Sequence, residues 1–336
     1  VVAIQGPPGT GKTYTGAHIV LELVRRNKRV GITAMSHSAI NNLLREVVKV
    51  FTEAGELGRL RAIRRGTDKV VSGLESIAFA SGNPTCANSV YNVVAGTTWL
   101  FAGEDMRDLP VDVLLIDEAG QLALADALAA SMSTNSMMLL GDPAQLAQVS
   151  QAIHPNGSGA SVLEHVLGNS VTIPDDRGVF LAKTRRMHPD VCRFISEQIY
   201  EGRLEPHASC ATQTTDFGTG LRWLRAHHNG CSTSSTEEAA LVRDAIAAQI
   251  GHSWTNNGGT SHRLSAADYM VVAPYNDQVA ELRKALDSDE RTRGVRAGTV
   301  DKFQGQEAPI VFFTMTTSTD VDMPRGADFL FSKNRL

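Results

Sequence analysis

Residues Gly6 to Thr13 read GPPGTGKT, a match at every fixed position to the phosphate-binding pattern G-x-x-x-x-G-K-[ST]. VVAIQ before it is a short apolar strand. From Lys12 the spacing predicts an amphipathic helix, with Tyr14, Ile19, Leu21 and Leu23 expected among its buried residues. A strand, a glycine loop and a helix N-terminus make an anion cradle, because backbone N–H groups converge there and the helix dipole adds positive potential. The whole loop Gly6, Pro7, Pro8, Gly9, Thr10, Gly11, Lys12, Thr13 is the expected nucleotide-binding segment. Lys12 would reach the β and γ phosphates, and Thr13 would offer its hydroxyl to Mg²⁺.

Working outward, RVGIT (29–33) predicts a second strand, followed by a helix with apolar positions at Ile40, Leu43, Leu44, Val47 and Val48. Ser36 or Ser38 would cap that helix, although such a turn can also hold nucleic-acid phosphates. Arg59, Arg61, Arg64, Arg65 and Lys69 form the densest basic cluster, readable as a phosphate track or as a solvated face. NPTCANS (83–89) is read as a loop. YNVVAGTTWLF (91–101) is a strand ending in a polar turn. Trp99 there could stack on a base, but a core position is the commoner fate of a tryptophan in apolar company.

VDVLLIDEAGQ (111–121) is the second decisive stretch: a buried parallel strand ending in adjacent carboxylates, Asp117 and Glu118. Two acids at one strand end repel unless a cation or proton is shared. Beside a phosphate loop, the first would hold Mg²⁺ and the second would sit beside the attacking water. SMMLLGDPAQL (136–146) repeats the design, with Gln145 able to contact a γ-phosphate or water.

The second half has no phosphate loop but keeps the alternation of strands and helices, which predicts α/β architecture with mainly parallel sheets. RGVFLAK (177–183) is read as a strand. HPDVCRFISEQIY (188–200) is a helix with proline at its start, and Ser235 and Glu238 stand in capping-box register. NGSGAS (156–161) is the best local boundary signal, and the division is expected at 1–170 and 171–336.

Composition sets the limits. The chain has 336 residues, 42% apolar and 20% charged, with a net charge of −4. That describes globular cores, and a nucleic-acid partner must be argued from local patches rather than overall charge. Four scattered cysteines without a C-x-x-C pair fit a reducing, cytoplasmic setting. A zinc site from Cys210, Cys231, His227 and His228 is disfavoured by irregular spacing. No run reaches membrane-span length and no signal peptide is visible, so no membrane partner is expected. Val1 already lies inside a strand and SKNRL does not read as a natural ending, so both ends are expected to be truncations of a longer chain.

Taken in order, GPPGTGKT, TAMSHSAINNLL, GTTW, LLIDEAGQ, GDPAQL, RRMHP, VVAPYNDQV and TVDKFQGQEAPIV resemble the motifs of superfamily 1 helicases. The branch they resemble is that of the nonsense-mediated-decay RNA helicase, and the likeness covers nearly the whole chain. HPNGSGAS, ISEQIYEGRL and FLFSKNRL look, more narrowly, like the helicase region of bacterial proteins carrying a RecB-like nuclease upstream.

The resemblance implies a phosphate-loop NTPase of two tandem RecA-like lobes with ATP between them, and a nuclease domain elsewhere in the full chain. It implies Asp117 as metal ligand with Thr13, Glu118 as general base, Gln145 as γ-phosphate sensor and Arg186 as arginine finger. Gln304, Gly305 and Glu307 would line the nucleotide cleft. Ser36, His37, Thr97, Thr98, Tyr275 and Thr299 fall in the motifs that track single-stranded nucleic acid, with the RecB-like likeness favouring DNA over RNA.

Three departures stand out. Arg185 occupies the position of the tyrosine that stacks on adenine, and a guanidinium can also stack on a flat ring. The adenine-reading glutamine would precede Val1. A second arginine would follow Leu336, so this stretch alone would be an incomplete motor. Two other readings compete: a phosphate-loop switch or protein-moving AAA-type ATPase, against which QGQE speaks, and a catalytically impaired nucleic-acid-binding module, against which Lys12, Asp117 and Glu118 speak.

Overall fold

In the computed structural model, residues 1–66, 71–145 and 159–335 are described. Lys69 of the basic cluster, Leu146 of GDPAQL and residues 156–158 of NGSGAS lie outside them. The chain forms two compact units, Val1–Thr184 and Arg185–Leu336.

The first unit is organised by one sheet whose eight described strands are β1 (Val2–Gln5), β2 (Val30–Thr33), β3 (Ala62–Arg65), β4 (Ala78–Ala80), β5 (Val93–Ala95), β6 (Val111–Ile116), β7 (Thr134–Gly141) and β8 (Gly178–Phe180). Their order is β4-β3-β5-β2-β6-β7-β1-β8, with every pairing parallel. Consecutive residues alternate between two cores. Ala3, Leu114 and Leu139 face one; Ile4, Leu115 and Leu140 face the other. Both faces are covered, which is why these strands are unbroken apolar runs rather than alternating ones. Each such leucine contributes about 1.5–3 kcal/mol by leaving water.

Helix α1 (Lys12–Arg25) and helix α2 (His37–Glu53) close one face. On α1, Leu21 is buried as expected and Ile19 and Leu23 are half-buried. Tyr14 corrects the sequence reading: it is 55% exposed and packs on His18, with ring centroids 4.1 Å apart. Asn83–Cys86, read as loop, is a single helical turn opened by Pro84.

The unit boundary also differs from the expected 170. The stretch 171–184 stays with the first unit because β8 pairs with β1, Ala3 opposite Gly178 and Gln5 opposite Phe180. The fully buried Gln5 amide fixes the approach, donating to Val171 O at 3.2 Å and accepting from Ile173 N at 2.7 Å. RGVFLAK therefore supplies an edge strand to the first sheet rather than opening the second half.

The second unit centres on three parallel strands, Arg296–Thr299, Tyr269–Ala273 and Ile310–Phe313, with Tyr269–Ala273 in the middle. Helices Thr236–Gln249 and Asn276–Asp287 supply Val242, Ile246, Val279 and Leu282 to its core. Ser235 caps the first of these by accepting from Glu238 N at 3.1 Å. Glu238 does not complete the expected capping box. Its carboxylate accepts from Thr316 N at 2.9 Å and lies 3.2 Å from His228 Nε2.

Candidate functional site

Because every strand of the first sheet is parallel, the loops after the strands share one edge, where ligands bind in open α/β sheets. Helix α1 carries the chain from β1 past two places later filled by β7 and β6. Those strands therefore end beside the phosphate loop, with Gln5 opposite Gly141 and Ile116 opposite Leu139.

The loop itself is held open by glycines. Gly9 and Gly11 have φ of 77° and 82°, in the left-handed region that side chains rarely adopt. A Cβ on Gly6 would come within 2.3 Å of Lys12 Cγ, because the lysine folds back across the loop. Its ammonium donates to Gly6 O at 2.6 Å. Gly6 N donates to Gly141 O at 2.9 Å, the Thr10 hydroxyl to Pro7 O at 2.7 Å and the Thr184 hydroxyl to Pro8 O at 2.8 Å. Helix α1 has no side-chain cap and no acid in its first turn. Its first N–H donors and the positive end of its dipole thus face the loop uncompensated.

Asp117 is 5% exposed at the end of β6, and Glu118 follows with φ of 53°. A left-handed conformation at a non-glycine residue costs on the order of 1–3 kcal/mol and tends to occur at working sites. Glu118 N donates to Asp117 Oδ1 at 3.0 Å. Burial, then the neighbouring Glu118 charge, push the Asp117 carboxyl up to about 7, against the opposing pull of Lys12. The Thr33 hydroxyl, at the end of adjacent β2, is buried without a hydrogen-bond partner among the described residues. Gln145 is half-buried, its amide 3.4 Å from the Asp142 carboxylate.

Thr33 and Asp142 were not picked out by the sequence reading. Asp142 carries a signal in GDP after a buried strand. Thr33 carries none.

In the second unit, Arg186 Nε lies 2.5 Å from Glu307 Oε2, and Gln213 donates to Arg186 O at 3.1 Å. Arg185, Gln304, Gly305 and Glu307 are exposed. Gly305 has φ of 77°, and Arg296 braces the turn by donating to Gln306 Oε1 at 3.0 Å and Glu307 O at 3.3 Å. A cavity of about 440 Å³ borders the Arg186–Glu307 pair, walled by Phe217, Trp254 and Ile310. The separated motifs RRMHP and QGQE thus meet within this unit.

The expected strand-tracking residues divide between the units. Ser36 caps α2 by accepting from Ala39 N at 3.1 Å, and His37 is exposed. Thr97 and Thr98 are half-buried after β5. In the second unit, Tyr275 is 7% exposed and stacked on Phe329, its hydroxyl without a hydrogen-bond partner among the described residues. Thr299 and Tyr275 line a polar pocket of about 360 Å³ with Arg325 and Arg335. Phe329 and Arg335 fall in FLFSKNRL and Arg325 in no quoted motif, but none of the three was given a role from sequence, since their roles come only from contact.

Two further expectations are corrected. Trp99 is not core; it is 83% exposed. The basic cluster is no single face. Arg64 is buried over the Phe79 ring, Arg65 lies at the C-terminal end of β3, and Arg59 and Arg61 precede that strand at its other end. His228 turns to Ser318 and Glu238, and among the described residues no group of three metal-ligating side chains is assembled.

Residues 159–336, more than half of the chain, match the family model AAA_12, described as an AAA domain. The chain belongs to the AAA domain family. Residues 1–151 match a second AAA domain model, AAA_19. This AAA domain chain is 27% identical to the DNA polymerase alpha-associated DNA helicase A of Schizosaccharomyces pombe, over 99% of the chain and 58% of that protein. It is 25% identical to the DNA replication ATP-dependent helicase/nuclease JHS1 of Arabidopsis thaliana, over 99% of the chain and 26% of that protein. It therefore spans between about a quarter and three-fifths of these relatives' length. The Arterivirus nonstructural protein 10 helicase, solved with DNA, has a similar fold: TM-score 0.51, 16% identity, 99% of this chain and 56% of that one.

Proposed function

We propose that this AAA domain chain is the motor region of a superfamily 1 helicase, coupling ATP hydrolysis to movement along single-stranded nucleic acid. The observation that carries the reading is the phosphate loop. A folded-back Lys12 ammonium rests on a neutral carbonyl, before an uncapped helix and beside two neighbouring carboxylates. Binding phosphate exchanges a neutral acceptor for an anion, which is electrostatically favourable for both the lysine and the helix N-terminus.

The Thr13 hydroxyl and Asp117 carboxylate are a hard, oxygen-only donor set that suits Mg²⁺. The buried and otherwise repelled Asp117 charge is also what a divalent cation would relieve. When bound, Mg²⁺ supplies neutralising charge to the phosphates. Lys12 holds the β and γ phosphates, Glu118 takes the proton of the attacking water, and Gln145 contacts the γ-phosphate. Arg186 serves as the arginine finger, and Arg185 offers a flat cation to the base. Gln304, Gly305 and Glu307 complete the nucleotide surround.

Single-stranded nucleic acid would run over Ser36, His37, Thr97, Thr98, Tyr275 and Thr299. DNA is favoured over RNA because relatives on this branch are named as DNA helicases. A nuclease domain in the same full-length chain fits the helicase/nuclease relative. Four scattered cysteines without a C-x-x-C pair suit a reducing cytoplasm, and among the described residues no helix is long and apolar enough to cross a membrane.

The test is ATPase activity with and without oligo(dT) or oligo(rU). Stimulation by oligo(dT) is expected, with Lys12→Ala and Glu118→Gln each losing roughly 10²–10⁴-fold in kcat and Arg186→Ala 10³-fold or more. Lys12→Ala with native activity would overturn the proposal.

A further inference from the structure

Trp99 is 83% exposed, yet its neighbours Leu100 and Phe101 are 2% and 0% exposed. The helical turn Thr98–Phe101 is thus nailed to the core by the two residues that follow the indole, and the ring is held outward on a fixed base. An indole in water forfeits the burial that normally keeps tryptophan inside, so a position this exposed and this rigid suggests a partner.

Its surroundings identify the kind of partner. Strand β5 lies between β2 and β3, with Ala95 level with Ile32 on one side and Arg64 on the other. The C-terminal ends of these three strands therefore sit side by side on one sheet edge, each about 5 Å from the next. Beyond β2 come Ser36 and His37, beyond the middle strand β5 come Thr97, Thr98 and Trp99, and β3 ends on Arg65. Gly96 lets the last two meet, since a Cβ there would stand 3.1 Å from Arg65 Cβ. Arg65 is steadied by its Nε donating to Asn83 Oδ1 at 3.1 Å. Hydroxyls and a cation at the same sheet edge as an exposed aromatic on a core-anchored turn are the elements that grip a single strand: phosphate contacts for the backbone and a π-face for a base.

We propose that Trp99 is the base-stacking platform of the first unit, receiving one unpaired base while Arg65 and the Thr97 and Thr98 hydroxyls hold the adjoining phosphates. This rests on the motor reading and adds to it a stacking role for Trp99, the last residue of GTTW, of which only Thr97 and Thr98 were expected to track the strand.

The experiment titrates the native protein, Trp99→Phe and Trp99→Ala with a fluorescently labelled oligo(dT) in low salt, alongside thermal melts. All three should melt alike, because the ring is outside the core. Trp99→Ala should bind roughly 5- to 150-fold more weakly, and Trp99→Phe, which keeps a ring, should recover most of the loss. Native protein should also show quenched tryptophan emission on binding, a quench that Trp99→Phe lacks. Trp99→Ala binding within twofold of native would overturn the inference and leave the motor reading standing. A native protein that binds no oligonucleotide would overturn both.

Discussion

At the scale of single residues, the two acids after β6 show how position changes chemistry. Asp117 is buried and Glu118 half-buried, and the structure raises Asp117 to about 7. The sign follows from proton binding. Between the unfolded value near 3.8 and about 7, the native state holds a proton that the unfolded chain has lost. Without nucleotide and metal, stability should therefore fall as pH rises through this window, on the order of 4 kcal/mol in full, and level off above it. Urea denaturation at pH 5 and pH 8 measures this. Asp117→Asn, which carries no charge, should show a smaller fall; an equal fall in both proteins would contradict the assignment. Motif spacing made both acids legible in the sequence, but not the buried Thr33 hydroxyl at the end of the adjacent strand, because a threonine ending an apolar strand has no distinguishing pattern.

At the scale of elements, the loop after β6 and the end of β7 with the residue that follows it approach closely through their backbones. A Cβ on Gly120 would stand 2.6 Å from Asp142 O, and one on Gly141 2.7 Å from Gly120 N. Gly120→Ala must push these two segments apart, and with them Asp117 and Gln145. A loss of about 1–3 kcal/mol is expected, together with a fall in ATPase larger than the stability loss explains. Chemical denaturation and steady-state kinetics at one temperature check both halves. The same scale explains where the sequence misled. Apolar company placed Trp99 in the core, but on a one-turn helix only some residues can face inward, and Leu100 and Phe101 took those places. The basic cluster looked like one surface because sequence neighbours were read as spatial neighbours. A strand sends alternate side chains to opposite faces and its two ends to opposite edges, so Arg61, Arg64 and Arg65 part company.

At the scale of the whole molecule, each unit has its own core, so the first should fold by itself if cut in the right place. A fragment of residues 1–184 should melt in one cooperative transition. A fragment of residues 1–170 loses β8 and leaves the fully buried Gln5 amide without Val171 and Ile173. An unsatisfied buried amide alone costs about 1–3 kcal/mol, so the shorter fragment should melt lower by several degrees or aggregate. Equal melting of the two fragments, followed by circular dichroism, would place the boundary back at 170.

The sequence by itself determined the α/β class, the phosphate loop and the acids and amide expected around it. These depend on local pattern: apolar runs, glycines where the backbone turns left, and polar residues at strand ends. Tertiary structure alone decided the strand order that sets β6 and β7 beside β1, the pairing of Arg186 with Glu307, the attachment of 171–184 to the first sheet and the exposure of Trp99. Each depends on which distant segments come into contact, and burial is a property of contacts that one segment's pattern does not contain.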